Sequence, residues 1–90
     1  MSNTSLDEEL IDQYVQDGNT EAAVRLLYEL IVKHAKQKDF TKAEALRQQL
    51  FDVDPMALTE IIKSAEIIEE EKNVSIDVSH KELWAKLYTL

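Results

Sequence analysis

Apolar side chains return every third or fourth residue through five stretches of this chain, the spacing of one face of an α-helix. Leu6, Leu10, Ile11, Tyr14 and Val15 set the first, predicting a helix from Leu6 to about Gln16. Ser5 with Glu8 three residues later forms a capping-box pair. Asp7, Glu8 and Glu9 occupy the first turn, where the helix dipole favours acids. Asp17-Gly18 then ends the helix, since glycine readily takes the left-handed terminating conformation. The second stretch, about Thr20 to Gln37, carries Ala22, Ala23, Val24, Leu26, Leu27, Leu30, Ile31 and Ala35. These cover more than one stripe, so this helix is expected to be central and packed on two sides. Lys33, Lys36 and Lys38 gather at its C-terminal end, where the dipole favours bases.

Thr41 and Glu44 mark another capping box, opening a third helix from about Thr41 to Phe51. Ala43, Leu46 and Leu50 form its inner face, with Phe51 a further candidate. Asp54-Pro55 is a boundary, because proline disfavours a helical residue before it and suits the first helical position after it. A fourth helix is predicted from Pro55 to about Lys72, with Leu58, Ile61, Ile62, Ala65 and Ile68 inward. Glu69, Glu70 and Glu71 place three acids at its negative end, which predicts fraying. Residues 73–78 alternate apolar and polar side chains; with no partner strand in sight, an extended linker is expected. A fifth helix follows Ser79, with Glu82 completing its cap and Leu83, Trp84, Leu87 and Tyr88 along its stripe. That stripe stops at Leu90 without a cap. The expectation is a single helical domain over residues 1–90 at the N-terminus of a longer protein; the alternative is an end buried in a homodimer.

Composition narrows the classes. With one Gly and one Pro in 90 residues there are too few turns for a β-rich fold, so the fold class is all-α, a small bundle of about five helices. The formal net charge is −8. It is unevenly spread: residues 22–51 carry six bases against three acids, whereas both flanking segments are acidic. Such a field repels phosphate backbones and anionic lipid, making nucleic acid and membrane poor partners. Cysteine is absent, excluding disulfides and thiolate chemistry. The first residues show no signal-peptide pattern, and cytoplasm is the expected location.

Residues 36–55, KQKDFTKAEALRQQLFDVDP, resemble the second half of a tetratricopeptide repeat. Asp39-Phe40 falls at the turn between the repeat's helices, Ala43 at its small position and Pro55 at its terminal proline. Leu27 and Leu30 fall at large apolar positions of the preceding helix. Ile31, His34, Arg47 and Leu50 depart from the pattern. The resemblance implies antiparallel helical hairpins that bind peptides or proteins, with Arg25, Tyr28, Glu29 and Val32 on the inner surface. Glu29 and Val32 oppose capture of a terminal carboxylate there. Residues 43–90 are also similar to the helical region ahead of the cyclic-nucleotide-binding domain in some bacterial regulators. That resemblance implies a relay role, with the nucleotide site outside this chain.

Catalytic parts are not apparent. A phosphate loop needs closely spaced glycines, and one glycine cannot supply it. Ser79 and His80 are adjacent and point apart at a helix start, where Ser79 serves better as a cap. His34 sits at the rim of the second helix's apolar face, where bonding a backbone carbonyl is the expected role. Glu69, Glu70 and Glu71 splay by about 100° each and do not form a chelating set. No enzyme activity, cofactor or metal is therefore expected. The expected function is a protein-interaction or regulatory module that docks on another domain or protein. Its candidate contact residues are Trp84, Leu87, Tyr88, Arg25 and Tyr28.

Overall fold

A computed structural model describes the backbone of residues 3–88 and the side chains of residues 6–73. Its described residues form four helices and no strand: α1 (Asn3–Gln16), α2 (Thr20–Lys36), α3 (Phe40–Val53) and α4 (Leu58–Tyr88). The all-α bundle agrees with the patterning, but the number of helices does not. The expected fourth and fifth helices and the linker between them are one helix of 31 residues. The physical reason is local. Residues 73–79 contain no Gly or Pro, and extending a formed helix by a residue is far easier than nucleating a new one. The three glutamates do not fray a helix end because no helix ends there. Instead the Lys38 amine donates to both the Glu71 carbonyl and its Oε1 at 2.9 Å, holding the α2–α3 turn against α4.

The first two turns use the same device. After α1, Asn19 N–H donates to Tyr14 O (2.8 Å) and Gly18 N–H to Val15 O (3.1 Å). After α2, Asp39 N–H donates to His34 O (2.9 Å) and Lys38 N–H to Ala35 O (3.0 Å). Both are Schellman closures, which need a left-handed residue just past the helix. Gly18 meets this at φ +75°, and Lys38 meets it at φ +65° despite its side chain. Each following helix is capped by the next residue, Asn19 Oδ1 accepting from Ala22 N–H and Asp39 Oδ1 from Lys42 N–H. The expected capping roles therefore move. Ser5, Thr41 and Ser79 all lie inside helices and not at their N-cap positions. Pro55 is in a turn and not at a helix start. Asp54 is extended at φ −151°, as a residue before proline prefers, and its side chain accepts from Met56 N–H.

α2 is the centre of the bundle. It buries Ala23, Val24, Leu27, Leu30, Ile31 and Ala35, and it packs against α1, α3 and α4. α3 adds Ala43, Leu46 and Leu50, and α4 adds Ile68 and the buried Ser64. Ala23, Ala35 and Ala43 are fully buried small residues that let helix backbones approach closely. Helix directions follow from side-chain pairings. α1 and α2 are antiparallel, with Leu10 and Tyr14 beside Ala22 and Leu26. α3 and α4 are antiparallel too. Lys72 lies over the Phe40 ring near one end of the pair, and Arg47 reaches Ile61 and Ser64 towards the other. α2 and α4 run parallel, Glu21 standing near Thr59 and Tyr28 near Ile67.

Several expected core positions are at the surface. α1 buries only Ile11 among its described side chains, leaving Leu6, Leu10 and Val15 exposed. Phe51, Leu58 and Ile62 are also exposed. These residues share a helical face with buried ones, but among the described residues no second helix lies over that side of the face.

Candidate functional site

Exposed apolar side chains gather where α3 meets α4. Phe51 is 50% exposed, Met56 78%, Leu58 56% and Ile62 56%. Leu58 and Ile62 stand one turn apart on α4, and Met56 occupies the turn just before that helix. Ile61, between them, lines a cleft of about 270 Å³ with Glu44, Arg47, Gln48 and Phe51 of α3. Below that cleft lies a polar tie between the two helices. Arg47 donates through Nε to Ser64 Oγ (3.2 Å) and through Nη2 to Ile61 O (3.2 Å), and Ser64 Oγ donates to Ile61 O at 2.9 Å. Ser64 is fully buried, so this guanidinium satisfies an interior hydroxyl while also lining the cleft. The walls of the cleft are thus held at fixed separation by α3–α4 bonds.

Of the contact residues expected from the sequence, Arg25 and Tyr28 come together. They line a cleft of about 220 Å³ between α2 and α4 with Glu21, Val24, Thr59, Glu60 and Lys63. Its two cations are matched by two carboxylates, so it carries no charge preference. Farther along the same pair of helices, Tyr28 and Ile67 are flanked by Lys63, Glu66 and Glu70. Trp84, Leu87 and Tyr88 belong to α4, but their side chains lie outside the described residues, as do those of Ser79 and His80.

His34 does not take the expected hydrogen bond through Nδ1. That atom is buried with no hydrogen-bond partner among the described residues, and the nearest carboxylate oxygen, Asp39 Oδ2, is 3.5 Å away. Asp39 instead uses Oδ1 to cap α3. Among the described residues no group of three or more His, Cys, Asp or Glu side chains could hold a metal. No described helix is long and apolar enough to cross a membrane.

The residues that sequence reasoning missed are Phe51, Met56, Leu58 and Ile62 as a surface. Their signal was present in a weak form: Leu58 and Ile62 widen the α4 stripe beyond what one contact face needs. No family model matches the chain, and neither a curated protein nor a solved structure matches it.

Proposed function

We propose that this chain is a non-enzymatic helical module that docks on another protein or domain. The observation that carries this reading is the exposed apolar face of Phe51, Met56, Leu58 and Ile62. Soluble domains rarely leave contiguous apolar surface of more than a few hundred Å² without using it for contact. The face lies on helices tied together by Arg47 and Ser64, so it is pre-formed and little ordering is needed on binding. The antiparallel hairpin of α3 and α4 and the Arg25–Tyr28 cleft are in keeping with a tetratricopeptide-like mode of protein binding. The same helix α4 carries both the exposed pair Leu58 and Ile62 and, further along, positions 84, 87 and 88.

A photo-crosslinking residue at position 62 tests the reading. In extracts of cells that make the protein it should yield a discrete protein adduct. The same residue at position 13, on the exposed side of α1, should yield none. Adducts at neither position, or at both alike, remove the reading.

One feature favours a second reading, a relay region of a cyclic-nucleotide-responsive regulator. α4 runs unbroken for 31 residues, about 46 Å at the helical rise, and a stiff helix of that length transmits rigid-body movement. This reading requires a nucleotide-binding β-barrel after Leu90 in the gene, and its absence there would end it.

A further inference from the structure

We infer that the α2–α4 cleft between Tyr28 and Ile67 receives a lysine- or arginine-bearing segment of a partner protein. The inference goes beyond the docking reading above, since Phe51, Met56, Leu58 and Ile62 do not line this cleft. Its volume is about 520 Å³. Tyr28 of α2 and Ile67 of α4 give it apolar walls, and Lys63, Glu66, Glu69 and Glu70 carry its charge.

That charge selects the occupant. Three carboxylates line the cleft with one ammonium. Three other clefts of the bundle are balanced: Glu44 with Arg47, Glu29 with Arg25, and Glu21 and Glu60 with Arg25 and Lys63. Lys63 is shared with the last of these, so it offsets the acids beside Tyr28 only in part. The neighbouring cations are placed elsewhere. Lys38 Nζ bonds Glu71, Lys72 Nζ lies over the Phe40 ring, and Lys33 and Lys36 do not line the cleft. A cation entering here meets an excess of negative charge next to apolar walls, where its attraction is less screened than in open water.

The form of the cation follows from spacing. Glu66 and Glu70 stand about one helical turn apart with Glu69 between them. Among the described residues no three acids gather closely enough to hold a metal ion. Charge spread in this way suits separate cationic heads carried on one chain. A lysine or arginine also brings an apolar stem, which can lie along Tyr28 and Ile67 while the head reaches the carboxylates. A second copy of this chain is a poor source of such heads. Its net charge is −8, and its Lys38 and Lys42 already pair with its own Glu71 and Glu8.

The test titrates the isotope-labelled 90-residue chain with three synthetic peptides and follows amide shifts. The first alternates lysine with leucine and isoleucine. The second replaces its lysines by glutamate, and the third replaces its leucines and isoleucines by serine. The first should saturate, shift Tyr28, Lys63 and Ile67 most, and bind at least tenfold more tightly than either of the others. E66Q/E69Q/E70Q should weaken it at least tenfold with helical circular dichroism unchanged, and Phe51→Ser should leave its affinity as it was. Added salt should weaken it as well. Affinity equal to that of the glutamate or the serine peptide, affinity indifferent to salt, no binding, or shifts centred on Phe51 and Met56 overturns the inference. So does a dimer in ultracentrifugation that E66Q/E69Q/E70Q dissociates. A position-62 crosslink without binding of the first peptide leaves the docking reading standing and ends this inference; peptide binding without the crosslink does the reverse.

Discussion

α1 and α2 carry similar apolar spacing and have different fates. α2 places six side chains in the interior, and α1 places Ile11 there while Leu6, Leu10 and Val15 face water. The difference lies in their neighbours. α2 touches all three other helices, whereas α1 packs chiefly on α2 and is tied to α3 by the Glu8–Lys42 ion pair at 2.9 Å. Spacing tells which side chains travel together on a face. Whether water is removed from that face depends on how many helices surround it, and that number sets the free energy of each apolar position.

The largest test of this contrast is truncation at the two sites. Leu27→Ala removes a fully buried side chain from the centre of α2 and should lower unfolding free energy by about 3 kcal/mol, read by urea denaturation. Leu10→Ala, on the partly exposed side of α1, should change it by about 0.5 kcal/mol or less. Comparable losses at both positions would mean that α1 is covered in solution. Next comes the polar tie between α3 and α4. Arg47→Ala should cost about 1–2 kcal/mol, because it withdraws the guanidinium from a buried hydroxyl and a helix carbonyl. Ser64→Ala should cost less, since the Ile61 carbonyl keeps Arg47 and the small cavity stays apolar.

The smallest effects compare the ends of the same two helices. Gly18→Ala forces a side chain into a left-handed conformation at φ +75° and should cost about 1 kcal/mol. A Cβ there meets nothing within 4 Å, so the loss would be backbone strain and not a clash. Lys38→Gly relieves the same strain at φ +65° but forfeits the Glu71 contacts, so its net effect should stay within about 0.5 kcal/mol. A large loss at Lys38 would show that the tie to α4 outweighs the turn. Thermal melts of the two variants side by side make this comparison.

Much of the fold was legible. Thr20–Lys36 is central because it is apolar around more than one stripe, and Gly18 ends α1 because its backbone can turn left-handed. Lys38 performs the same turn without being glycine, which is why composition did not reveal it. The capping assignments at Ser5, Thr41 and Ser79 erred because the capping-box spacing also occurs within helices; Asn19 and Asp39 do the capping in α2 and α3. Arg25 and Tyr28, which the tetratricopeptide resemblance put on one surface, do line one cleft. The α3–α4 face was not legible, since Leu58 and Ile62 satisfy the rule for inward residues as well as Ile61 and Ile68 do.

The sequence by itself determined that this chain is helical, that α2 lies inside and that α1 stops at Gly18. Only the tertiary arrangement decided that Arg47 serves the buried hydroxyl of Ser64 and that Phe51, Leu58 and Ile62 remain open to water. Helical propensity and dipoles act within a few residues and can be summed along a chain. The covering of a face and the pairing of a buried polar group depend on atoms brought close from far away in sequence, and those distances exist only once the helices have packed.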